Sequence, residues 1–131
     1  MQPITPLMRK ALLADALLSG ATAILLLVGA RPLESLLAIP AGFLFRAGLV
    51  LAAFVAFVLV LSRCKAAPRI LLLDVVLINA LWVLASVAVL AAGVLTPNTL
   101  GTLFVLVQAF AVAVFATVQT LALRRTRLPA A

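Results

Sequence analysis

Four long apolar runs, separated by short polar breaks, make up nearly all of this chain. The first extends from about Ala11 to Ala30 and the second from about Ala41 to Ser62. The third extends from about Ile70 to Leu95 and the fourth from about Leu100 to Leu123. The first run holds 20 residues. At 1.5 Å per residue it reaches about 30 Å, the thickness of a bilayer's hydrocarbon core. Each run is therefore expected to be a transmembrane helix. Met1–Lys10 is a polar start in which Pro3 and Pro6 are expected to block helix. Arg31-Pro32 is expected to end the first span, and Thr96-Pro97-Asn98-Thr99 to form a tight turn. Between Pro32 and Pro40, the apolar Leu33, Leu36 and Leu37 recur at helical spacing around Glu34 and Ser35. This segment is too short to cross a bilayer and is expected to be a short helix lying in the outer interface. The expectation is an all-α membrane protein, a four-transmembrane-helix bundle forming a single domain over residues 1–131.

Composition points the same way. Of the 131 residues, 67% are hydrophobic and 10% charged, and the mean hydropathy is +1.38. Soluble domains average about 45–50% apolar and about 25% charged. A chain this short cannot hide so much apolar surface from water in its own interior. The net charge of +7 comes from ten Lys and Arg against three acids. Those cations cluster at the ends of the apolar runs, which suits anionic headgroups and topology control better than nucleic acid. Arg9 and Lys10, then Arg63, Lys65 and Arg69, then Arg124, Arg125 and Arg127 fall on one side, against Arg31 on the other. By the positive-inside rule, both termini and the middle loop are expected in the cytoplasm, across a bacterial inner membrane.

A repeat offset is also visible. Asp15-Ala16-Leu17 matches Asn79-Ala80-Leu81, and Ala21, Leu26 and Gly29 match Ala85, Leu90 and Gly93. The first and third spans would then be equivalent, in two parallel helical-hairpin repeats about an axis along the membrane normal. Shared Ala and Leu richness explains the matches equally well.

Candidate chemistry lies with the polar side chains inside the runs. Asp15 shares a face with Ser19 and Thr22. It is expected to be an interfacial carboxylate paired with Arg9, Lys10 or the C-terminal arginines, with a cation or proton site as the alternative. Asp74 is expected to be interfacial near Arg69. Asn79, Trp82 and Ser86 lie on one stripe of the third span, and Gln108 sits near the middle of the fourth. Asn79 and Gln108 are the expected buried polar cluster, either as packing contacts or as a pocket wall. Gln119 is expected near the cytoplasmic end. Arg46 and Glu34 are expected to form a structural ion pair holding the outer segment; the alternative for Arg46 is a site for an anionic headgroup or substrate. Small-residue pairs such as Ala16 with Gly20 suit close helix contact.

The chain has no histidine, a single cysteine, Cys64, and no close carboxylate pair. No metal, cofactor or catalytic role is expected. The stretch Asn79-Ala80-Leu81-Trp82-Val83-Leu84-Ala85-Ser86 resembles a segment of small uncharacterised bacterial four-helix membrane proteins. Asp15-Ala16-Leu17-Leu18-Ser19-Gly20 is similar to their first helix. The resemblance covers most of the chain, implies the same fold and brings no known activity. Two functional readings follow. The first is a non-catalytic bundle that works by association, as an accessory subunit or by holding lipid or an apolar ligand. The second is an oligomeric transporter or channel for ions or small molecules. Lipid is the expected surrounding partner, with a homo-oligomer or larger membrane complex open, and no nucleic acid.

Overall fold

Sequence punctuation sets the helix ends in the computed structural model, which describes residues 1–125; Arg127 lies outside the described residues. Helix α1 spans Pro6–Leu37, α2 Ala41–Arg63, α3 Arg69–Ala91 and α4 Thr99–Arg125. Each is long and apolar enough to cross a membrane. The protein is an all-α four-helix bundle and a multi-pass integral membrane protein. Its outward faces are apolar: Leu17, Val28 and Phe110 are 77%, 82% and 72% exposed. Only lipid makes such faces stable, because the helices satisfy their backbone groups internally.

The start of α1 corrects the expectation that Pro6 blocks helix. The Thr5 side chain accepts a hydrogen bond from the Met8 N–H at 3.2 Å, and Pro6 follows in the first turn. Proline is tolerated there because that position has no intrahelical partner for an N–H. At the far end of α1 the helical backbone breaks at Gly29, and a short second helical piece runs on through Pro32 to Leu37, as expected, starting about two residues earlier than Arg31-Pro32 suggested. Pro32 removes one backbone bond and crowds the carbonyl four residues earlier. Gly29 absorbs this as a kink, with φ −104° and ψ 15°. The helix closes at Ala38, whose left-handed backbone (φ 58°) lets its N–H bond the Glu34 carbonyl. Helix α3 ends at Ala91, short of the expected Leu95, and residues 92–98 link it to α4.

Along the bundle α2 packs on α1, α1 on α4, and α4 on α3. Helices α2 and α3 do not pack along one another. At the end carrying the termini, side chains of all four helices nevertheless meet in one core, including Leu12, Val58, Leu72, Val75 and Leu123. A second apolar cluster, including Leu26, Leu37, Ile39, Leu51 and Leu95, lies toward the hairpin end.

Backbone strapping closes the termini end. A two-residue strand β1 (Gln2–Pro3) pairs antiparallel with β2 (Ala66–Ala67) in the α2–α3 link. The Ile4 N–H extends the ladder to the Lys65 carbonyl at 3.0 Å. The Arg9 guanidinium donates to the Ser62 and Cys64 carbonyls, capping α2. Arg69 donates to Gln2 Oε1 at 2.8 Å and to the Leu123 carbonyl at 3.4 Å. Cations at helix C-termini meet unpaired carbonyls and the negative end of the dipole.

Asn98 performs the matching task at the hairpin end. Its Oδ1 accepts from the Gly101 N–H at 2.8 Å, capping α4, and its Nδ2 donates to the Leu36 carbonyl at 2.8 Å. Its backbone N–H bonds the Leu37 carbonyl at 3.2 Å. This draws α4 so close to α1 that a Cβ on Gly101 would stand 2.2 Å from the Leu37 oxygen. A methyl group there forces the backbones apart. Gly101→Ala is expected to destabilise the bundle by about 1–3 kcal/mol in reversible unfolding from detergent micelles. Gly42→Ala, with nothing within 4 Å of the added atom, is expected to be neutral or slightly stabilising.

A buried carboxylate triad and an apolar cavity

Asp15 is completely buried. Because α1 begins at Pro6, Asp15 lies roughly two and a half turns into it. Its expected pairing with Arg9, Lys10 or the C-terminal arginines is therefore corrected. Arg9 is spent on the α2 carbonyls, and Asp15 turns into the bundle. Its Oδ1 accepts from the Ser19 hydroxyl at 3.0 Å. Its Oδ2 accepts from Asn79 Nδ2 at 2.7 Å and from Gln119 Nε2 at 2.9 Å. Asn79 Nδ2 also donates to Gln119 Oε1 at 3.0 Å, closing a ring across α1, α3 and α4. Among the described residues, no buried side-chain nitrogen or oxygen lacks a partner. Among the described residues no cation bonds the carboxylate; three neutral donors hold it. Hydrogen bonds to a charged group are the strong ones, and a low dielectric strengthens them further.

Gln119 was the residue that sequence reasoning missed as a site member. Its signal was depth. Counted from Arg125, Gln119 lies roughly one and three-quarter turns in, near the level of Asp15. Gln108 is about three turns further toward the hairpin end, too far to join. The expected Asn79–Gln108 cluster is thus corrected to two separate pairings. Gln108 Oε1 instead accepts from Trp82 Nε1 at 2.7 Å. Asp74 is half-buried on α3 and lies outside the ring.

Trp82 and Gln108 belong to the wall of a cavity of about 450 Å³ lying on the side where α2 and α3 fail to pack. All four helices contribute: Thr22 and Leu26 from α1, Phe43, Arg46, Ala47 and Val50 from α2, Ala85, Ser86 and Val89 from α3, and Phe104 and Val105 from α4. The lining is overwhelmingly apolar. Thr22 and Ser86 bond carbonyls of their own helices, those of Leu18 and Trp82. Gln108 Nε2 has no protein partner among the described residues.

Arg46, the cavity's cation, is exposed on α2. Its expected ion pair with Glu34 does not form: among the described residues, the Glu34 carboxylate accepts from the Ala41 N–H at 2.5 Å and makes no ion pair. The physical reason is proximity. The continued α1 delivers Glu34 to the N-terminus of α2, where unpaired N–H groups and the positive dipole end attract a carboxylate. The remaining candidates divide cleanly. Trp82, Ser86, Gln108 and Arg46 line the cavity, while Asp15 and Asn79 form the ring with Gln119.

Gln119→Leu removes one partner from Asp15 and one from Asn79, and is expected to cost about 1–3 kcal/mol. Because Asn79 and Gln119 bond each other, the Asn79→Leu/Gln119→Leu double variant should lose less than the sum of the singles, by about 0.5 kcal/mol or more. Denaturation of wild type and the three variants in one detergent measures both. No family model, curated protein or solved structure matches this chain.

Proposed function

We propose that this protein is a non-catalytic membrane bundle that holds a lipid chain or similar apolar ligand between its helices, as an accessory or carrier component of a bacterial inner membrane. The cavity between α2 and α3 is the observation that carries this reading. Ligand sites are concave, mostly apolar and equipped with a few polar groups, at about 300–1,000 Å³, and the 450 Å³ cavity has that size and lining. Chemistry finds little support there: its polar side chains are Arg46, Ser86, Thr22, Trp82 and Gln108, none of them a carboxylate or a cysteine. In this reading both termini face the cytoplasm, with Arg9, Arg63, Lys65 and Arg69 beside anionic headgroups.

Trp82 is the chain's single tryptophan and lines the cavity, so its emission reports directly on occupancy. In nanodiscs of phospholipid brominated along the acyl chain, its fluorescence is expected to be strongly quenched. Ala47→Phe and Val105→Phe fill the cavity from opposite walls and should each relieve much of that quenching while circular dichroism stays unchanged. Quenching equal to wild type in both folded variants would defeat the proposal.

The second reading is an ion-coupled transporter, oligomeric because four helices rarely enclose a pore. The observation favouring it is Asp15, a buried carboxylate with neutral donors and, among the described residues, no bonded cation. It expects a proton or cation flux in proteoliposomes that Asp15→Asn reduces at least tenfold; no flux above empty vesicles removes it.

A further inference from the structure

The apolar cavity has one charged corner, and nothing within the described residues neutralises it. Arg46 lies on the second turn of α2 and lines the cavity wall. Its nearest sequence-level partner, Glu34, is engaged by the Ala41 N–H. An arginine on a membrane-spanning helix is costly unless it reaches headgroups or finds an anion. Its planar fork suits a phosphate, which it can bind through two parallel hydrogen bonds. A second donor stands deeper. Gln108 is held at its oxygen by Trp82, and its Nε2 has no protein partner among the described residues. By helical rise, Arg46 is roughly 7 Å from the start of α2 and Gln108 roughly 13 Å from the start of α4, both measured from the hairpin end. The cavity thus places a cation near the headgroup level, a neutral N–H donor about 6 Å below it, and apolar walls throughout.

Resting on the proposed lipid-holding role, we propose that the occupant is an anionic acyl phospholipid of the leaflet at the hairpin end. Its phosphate is read by Arg46, its ester carbonyl by Gln108, and one acyl chain fills the space between α2 and α3. The volume has room for one acyl chain. At about 30 Å³ per water-sized group, 450 Å³ accommodates about 15 such groups, the length of a single common acyl chain. The open α2–α3 side is a lateral doorway from the bilayer, so the lipid need not leave the membrane to enter.

The test is native mass spectrometry of the full chain in a non-ionic detergent. Lysophosphatidylglycerol and lysophosphatidylcholine of equal chain length are the probes. Wild type should bind the anionic probe about tenfold more tightly, the value of one charge-assisted hydrogen-bonded contact. Arg46→Gln should erase that preference, weakening the anionic probe more than the choline probe, whose phosphate also meets Arg46 but carries its own countercharge; unchanged circular dichroism separates a headgroup role from a folding defect. Ala85→Phe should weaken both probes together. Glycerol 3-phosphate, the headgroup without a chain, should not displace either. Equal binding of both probes by wild type, or a preference that survives Arg46→Gln, would overturn the headgroup assignment alone; displacement by glycerol 3-phosphate would overturn the acyl-chain assignment. Binding of neither probe would overturn the lipid-holding role itself.

Discussion

A carboxylate carried into hydrocarbon has no water to turn to, and that requirement organises this bundle. Asp15 meets it with the hydroxyl of Ser19 and the side-chain amides of Asn79 and Gln119. Two of those donors come from other helices, so the carboxylate fixes the rotation of α1, α3 and α4 about their own axes. Apolar packing alone would do this poorly, because lipid tails compete on equal terms for Leu and Val faces. The ring also joins α1 to α3 directly by a side-chain hydrogen bond, although those helices do not pack along one another.

The positions matched by the repeat offset give this ring an added meaning. Asp15 and Asn79, the two positions that the repeat offset would align, bond each other inside the bundle. In a symmetric pair of hairpins, the packing of α1 on α4 would be mirrored by packing of α3 on α2. That counterpart is missing, and the cavity occupies its place. The asymmetry has visible causes on the α1–α4 side. Gly101 lacks the Cβ that would hold the backbones apart, and Asn98 ties the two helix ends together. Closure on one side leaves an opening on the other.

The two ends of the molecule are built differently for the same reason. At the termini end, a short β ladder and the guanidinium groups of Arg9 and Arg69 close the helix ends, and the core there includes all four helices. At the hairpin end the Asn98 contacts tie α1 to α4, and the Glu34 carboxylate on the Ala41 N–H ties α1 to α2.

Four membrane-spanning helices, their approximate limits and the apolar faces they turn to lipid were legible in the sequence, because length and hydropathy are local properties and hydrocarbon selects on them strongly. The Thr5-Pro6 start of α1 was also written there in capping terms, and reading Pro6 as a breaker placed Asp15 about one and a half turns nearer the helix start than it is. Which polar residues meet was not legible. Asn79 could have faced Gln108 or Gln119, and Arg46 could have faced Glu34. Those choices depend on the rotation and relative depth of helices joined by distant stretches of chain, and on a Gly29 kink that carries Glu34 to the start of α2. Periodicity along one helix places residues on its face; only the packing of that face against its neighbours decides whether a carboxylate, an amide or a cavity lies opposite.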